Sequence, residues 1–264
     1  MSKYPLISDH GLIGDLQTAA LVATDGTLDW FCSPRFDSPS IFASLLDHDK
    51  GGHFSTRPVG EAFETKQLYL PDTAILITRF LTEGGVGELV DFMPTTGYSA
   101  SEGHRLIRLL RCVRGTMAFD IEVAPRFDYG RQTHRLTVSE EGAEFDAGET
   151  RMTLSLIREK NDARLGRYEA TDDGDLHVSL TLNAGQMRGV VLETGPDTKP
   201  VMIPPAEAER LLESTAQFWQ DWVGQSTYAG RWREELERSA ITLKLLTYAP
   251  TGGLVAAPTA GLPE

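Results

Sequence analysis

For its first two hundred residues the chain alternates short, apolar-patterned runs with glycine-containing turns. That rhythm narrows the fold more than any other feature. The stretch from Thr73 to Pro94 holds two apolar runs joined at Glu83-Gly84-Gly85, a hairpin signal. Between Thr116 and Pro125, Met117, Phe119, Ile121 and Val123 point one way while Asp120 and Glu122 point the other. A period of two means one buried face and one wet face. The segments from His134 to Ile157 and from Gly174 to Thr194 divide in the same manner, the second turning near Asn183-Ala184-Gly185. No strand–helix alternation occurs, so a doubly wound parallel sheet is excluded in favour of a mainly β fold, a large antiparallel β-sandwich or barrel.

The pattern changes at Pro204-Pro205. Beyond it Ala208, Leu211, Leu212, Thr215, Phe218, Trp219 and Trp222 recur at helical spacing, and Gly224 is a stop signal. A second helix is expected from Arg231 to Tyr248. It carries Trp232, Leu236, Ala240, Leu243 and Thr247 on one face, with Ile241, Leu245 and Leu246 apolar on the other side. A helix apolar on more than one face expects more than one packing partner.

A chain of 264 residues, 41% hydrophobic, can bury a large core. Its net charge of -13 argues against nucleic acid and anionic membranes as partners and leaves neutral substrates such as sugars. Cys32 and Cys112 are too few for a disulfide framework and lack metal-ligand spacing. The N-terminal stretch has no apolar signal segment, and no run approaches the roughly 18 apolar residues of a membrane helix. A cytoplasmic location is the expectation.

The histidines, His10, His48, His53, His104, His134 and His177, are scattered without metal-site spacing, so neither a metal nor another cofactor is expected. The glycine pairs at Gly11–Gly14 and Gly84–Gly87 match no nucleotide-binding loop, and no GxSxG elbow occurs. Chemistry-bearing residues concentrate between Gly26 and Asp47, where Trp30, Phe36, Asp29, Arg35 and Asp37 crowd together. Asp29 and Asp37 could serve as the two carboxyl groups of a glycosidase. The turn residues Asp25-Gly26, Pro34 and Pro39, and the placing of Arg35 two residues from Asp37, favour an ion-paired structural loop. Trp30 and Phe36 could stack a sugar or pack inward. Exposure would support sugar binding, and burial of both would count against it.

The run from Gly11 to Asp47, Asp91–Pro94, Ala124–Arg131 and the run from Gly230 to Glu264 together resemble bacterial glycoside hydrolases of family 15, the glucoamylase and trehalase-like group. The resemblance covers essentially the whole chain. It implies a supersandwich like that of galactose mutarotase over 1–203, a helical linker over 204–229, and the first helix and loop of an α/α six-hairpin barrel over 230–264. It further implies a parent enzyme hydrolysing α-glucosidic bonds of trehalose or maltooligosaccharides with inversion. The family's catalytic glutamates lie in later barrel loops, so no catalytic residue is assigned here. Trp30, Arg35, Phe36, Asp37, Pro258 and Thr259 are the candidates for bordering substrate or barrel. The family's usual Pro-Thr-Thr-Ser-Leu-Pro-Glu run loses its hydroxyls at Ala260 and Gly261. The expected partners are an α-glucoside, bound through the barrel, and a second copy of the chain meeting exposed C-terminal helices. A carbohydrate-binding or structural interaction module without hydrolase activity is the alternative.

Overall fold

The computed structural model describes residues 4–60, 63–95, 103–159 and 167–262. After a single 3-10 turn at Ile7–Asp9 come β1 (His10–Gly14), β2 (Ala19–Ala23), β3 (Leu28–Cys32), β4 (Ser40–Phe42) and β5 (His53–Pro58). Next are β6 (Glu64–Tyr69), β7 (Leu76–Leu81), β8 (Gly85–Phe92) and β9 (His104–Ala124), then a four-residue turn, α1 (Phe127–Gly130). The strands β10 (Arg135–Val138), β11 (Gly142–Asp146), β12 (Arg151–Ile157), β13 (Arg167–Ala170), β14 (Leu176–Asn183) and β15 (Met187–Thr194) follow. The chain continues with α2 (Pro205–Val223), α3 (Arg233–Leu245) and the two-residue strands β16 (Thr247–Tyr248) and β17 (Gly253–Leu254).

The main pairings are antiparallel and form two layers that share β9. One layer runs β1-β2-β3-β5-β9-β14-β13, with β4 beside β3; the other runs β6-β7-β8-β9-β15-β12-β11-β10. β9 pairs β8 and β15 over its first half and β5 and β14 over its second. The crossing point is Gly115, whose φ is +74 and where a Cβ would meet the Gly84 carbonyl oxygen at 2.0 Å. Only glycine fits there.

The alternation in β9 holds: Met117, Phe119, Ile121 and Val123 are buried and join Phe54, Phe80 and Phe145 between the layers. Its first half is apolar on both faces for a reason the pattern alone did not give. Leu106 and Leu110 face the inner core, whereas Ile107 and Leu109 face outward beneath α2. On the inner face lies Arg108, almost fully buried. It donates to both oxygens of Asp91 at 2.8 and 3.1 Å, to the Phe54 carbonyl at 2.7 Å and to the Gly26 carbonyl at 2.6 Å. This clamp ties the β8–β9 pair of one layer to β5 and the β2–β3 turn of the other.

α2 starts at Pro205, whose missing N–H costs nothing at a helix start. Its Ala208, Leu211 and Leu212 cover the outer sheet face, and Trp219 and Val223 continue onto Leu16, Ala74, Ile241 and Leu245. Gly224 ends it, in a right-handed rather than a left-handed conformation. α3 is shorter than the expected Arg231–Tyr248, because Thr247 and Tyr248 turn back to pair Leu254 and Gly253. Its buried positions are Glu237, Ile241 and Leu245, while Trp232, Leu236 and Leu243 on the opposite face are exposed. Pairing with α2 uses the narrower stripe and leaves the wider one uncovered. Among the described residues no helix is long and apolar enough to cross a membrane.

Candidate functional site

The residues singled out between Gly26 and Asp47 come together with the C-terminal segment 253–262 on the outer side of β3. Trp30 is fully buried, in a small cluster with Cys32 and Ala43 that Leu21, Leu45, Tyr129 and Leu262 close. Its indole N–H donates to the Pro258 carbonyl at 3.0 Å, joining residues 228 apart in sequence. Thr259 starts the next turn, its carbonyl accepting from the Leu262 amide at 3.0 Å. Asp128 and Tyr129 in α1 both have left-handed φ, near 52 and 57, which tyrosine rarely adopts. That turn sets the Tyr129 hydroxyl 3.5 Å from the Gly261 carbonyl oxygen. A Cβ on Gly261 would meet the same hydroxyl at 2.9 Å, a physical reason for glycine at this position. Pro263 and Glu264, the end of that sequence motif, lie outside the described residues.

The loop Ser33–Ser40 is tightly tied. Its Ser33–Pro34 bond is cis, and the Ser33 hydroxyl meets the Thr194 hydroxyl at 2.5 Å. The Phe36 amide donates to the Gln17 carbonyl and the Arg35 amide to the Ser38 hydroxyl. The Phe36 ring is buried. Burial of both Trp30 and Phe36 counts against a sugar-stacking platform here. Arg35 donates to Asp37 through Nε and Nη2, at 2.9 and 3.0 Å, with both side chains more than half exposed. Beside this pair a cavity of about 300 Å³ is lined by Phe36, Tyr248, Thr251 and Leu254. Burial, then the Asp37 charge, pushes the Cys32 thiol up to about 12, which removes it as a nucleophile.

Asp29 lies elsewhere. It is buried against His10, its Oδ2 meeting His10 Nε2 at 2.7 Å. His10 Nδ1 meets the Leu6 carbonyl at 2.8 Å. Both ring nitrogens thus face acceptors, and only the imidazolium can donate to both. Burial opposes that charge, and the bonds to Asp29 and Leu6 outweigh it, so the His10 pKa is raised. Asp29 and Asp37 line different cavities and do not form one carboxylate pair. Sequence reasoning did not single out His10–Asp29, Asp15–His104 or Asp91–Arg108, whose partners are 19, 89 and 17 residues apart and share no motif. Among the described residues no three His, Cys, Asp or Glu side chains are arranged to hold a metal ion.

The fold and its sites define a two-layer supersandwich carrying a helical extension. The profile of the family described as "Trehalase-like, N-terminal" matches residues 2–176, and the chain belongs to that family. It is 31% identical to the trehalase of Thermoplasma volcanium, over 99% of this chain and 41% of that protein. It is likewise 31% identical to the trehalase of Mycolicibacterium smegmatis, over 100% of this chain and 41% of that protein. A bacterial glucoamylase complexed with acarbose shares the fold, with a TM-score of 0.60 and 8% identity over 93% of this chain and 40% of that one. The chain thus spans about two fifths of the curated relatives it matches.

Proposed function

We propose that this chain is the N-terminal, non-catalytic part of a family 15-type glycoside hydrolase. The whole enzyme cleaves α-glucosidic bonds of trehalose or maltooligosaccharides with inversion, in the cytoplasm. One observation carries the reading above the others: trehalases resemble the chain from end to end, over only 41% of their own length. The disposition of acids agrees with it. Inversion needs two carboxyl groups facing one sugar, roughly 6.5–9.5 Å apart. Asp29 is buried against His10, and Asp37 is paired with Arg35 beside a different cavity.

In this reading residues 1–203 form the sandwich, 204–229 the linker, and 230–264 the first helix and loop of an α/α barrel. The exposed Trp232 just ahead of α3, and Leu236 and Leu243 within it, then pack against the rest of the enzyme. The rigid loop Ser33–Ser40, with Arg35 and Asp37 at its tip, borders the substrate crevice. The test is glucose release from trehalose and maltotriose by the purified chain. No turnover is expected. Turnover at enzyme-like rates that Asp29→Asn or Asp37→Asn abolishes would overturn the non-catalytic assignment.

A further inference from the structure

The turn between β1 and β2, Asp15–Thr18, is where parts of the chain far apart in sequence meet. The Gln17 carbonyl accepts from the Phe36 amide at 3.2 Å and so holds the loop Ser33–Ser40. The Leu16 carbonyl accepts from the Ala249 amide at 2.8 Å, and the Leu16 side chain packs with Trp219, Ile241 and Leu245 of the helical extension. The Thr18 hydroxyl donates to the Cys32 carbonyl at 2.5 Å. Leu16 is fully buried in a left-handed conformation, with φ +71, which a bulky side chain keeps only where its surroundings enforce it.

Asp15 supplies that enforcement. Its Oδ1 accepts from the Gln17 and Thr18 amides, each at 3.0 Å, and its Oδ2 accepts from His104 Nδ1 at 2.5 Å. A carboxylate oxygen only accepts, so the ring nitrogen is the donor. The His104 side chain is fully buried and its Nε2 has no partner, so the bond to Asp15 is the one polar tie of the ring. Burying a polar ring is costly unless its hydrogen bonds are made, and the one this ring makes braces the turn. His104 also opens β9 opposite Thr194, whose hydroxyl meets the Ser33 hydroxyl at 2.5 Å. Both ties of the loop, at Ser33 and at Phe36, therefore trace to this end of the β9–β15 pair.

We infer that Asp15 and His104 are a positioning pair. They fix the Asp15–Thr18 turn, and through the Gln17 and Leu16 carbonyls they set the loop that carries Arg35 and Asp37 and dock the helical extension at Ala249. Both residues are buried and act through the turn rather than on a ligand. The inference rests on the proposed function only in taking that loop as the border of the substrate crevice.

The experiment is amide hydrogen exchange of the 264-residue chain, read at Phe36 and Ala249 against Phe119 and Ile121 in the core. His104→Phe keeps a ring and removes the donor, leaving a buried carboxylate oxygen unpaired. A hydrogen bond to a charged group is worth about tenfold or more in an equilibrium, so Phe36 and Ala249 should exchange at least about tenfold faster, ahead of the core. His104→Asn puts an amide N–H where Nδ1 stood and should restore their protection relative to the core. Asp15→Asn keeps an acceptor for the Gln17 and Thr18 amides but makes it neutral, and should give the same selective pattern at smaller amplitude. Met152→Ala, a cavity in β12, should speed the core at least as much as Phe36 and Ala249. Phe36 and Ala249 unchanged in both His104→Phe and Asp15→Asn, speeding only in step with the core, or not recovering in His104→Asn would overturn the inference. In the whole enzyme His104→Phe should raise KM for trehalose or maltotriose by a larger factor than it lowers kcat, and His104→Asn should reverse it. Selective loosening with KM unchanged would take the loop out of the crevice wall and overturn that part of the proposed function, while the exchange result tests the pair by itself.

Discussion

Replacing Arg108 by methionine tests how the two layers are held. The guanidinium is 1% exposed and Asp91 is not exposed at all. Burial pushes the Asp91 carboxyl up, and the Arg108 charge draws it back. Removing Arg108 leaves desolvation unopposed, so Asp91 takes up a proton or stays as an uncompensated buried charge. Breaking one side of a buried pair costs about 3–5 kcal/mol. The Phe54 and Gly26 carbonyls lose their donor as well, each group about 1–3 kcal/mol if no water replaces it. The combined loss approaches the whole stability of a typical domain, about 5–15 kcal/mol. Arg108→Met should therefore lower the urea midpoint sharply, whereas Arg108→Met with Asp91→Leu should recover part of the loss, because the orphan charge is gone. The assay is urea unfolding of wild type, both single variants and the double variant, read as a double-mutant cycle. A single variant costing under about 1 kcal/mol, or a double variant no better than the sum of the singles, would refute the clamp.

Three smaller perturbations probe the rest. Trp30→Phe keeps an aromatic ring but removes the bond to Pro258 and part of the buried ring volume; it should cost at least about 1 kcal/mol and speed hydrogen exchange across residues 253–262 ahead of the sandwich. His10 has a raised folded pKa, so its contribution is fully present below the ordinary value of 6.5 and lost as pH rises through the folded value. Thermal melts of wild type and His10→Gln should accordingly differ most at mildly acidic pH and converge in alkaline buffer; a gap that widens with pH would be the wrong sign. Arg35→Ala removes an exposed pair worth about 1 kcal/mol or less, so the isolated chain should melt almost unchanged. In the whole enzyme the same change should alter KM or stability more than kcat, and a large loss of kcat with KM unchanged would remove the loop from the crevice wall.

Much of the fold was legible in the chain because it is local. Short apolar runs gave the strands of the hairpins Leu76–Phe92 and Leu176–Thr194, and glycine chemistry placed their turns. Proline and helical spacing gave the start and buried face of α2. The resemblance in linear motifs pointed to the family that the profile match then established. The helix after it was half legible: both apolar stripes of α3 were visible, but not which one α2 would cover. That choice depends on the shape of the surface formed by Leu16, Ala74, Trp219 and Val223, assembled from three distant segments.

The sequence alone determined the strands, the turns and the family, since each is written in spacings of two to four residues or in contiguous motifs. Tertiary structure decided the rest. It merged two apolar runs into one strand, β9, that belongs to both sheets. It buried Trp30 and Phe36 and left Arg35 and Asp37 facing solvent. It separated Asp29 from Asp37 and gave Asp29 to His10 beside a cavity of its own. Eight residues along a chain say little about which side of a strand each side chain faces once a bulge shifts register, as one does beside Phe31 and Cys32. Burial and charge pairing are properties of surfaces that meet in space, and their partners here lie as far as 228 residues apart.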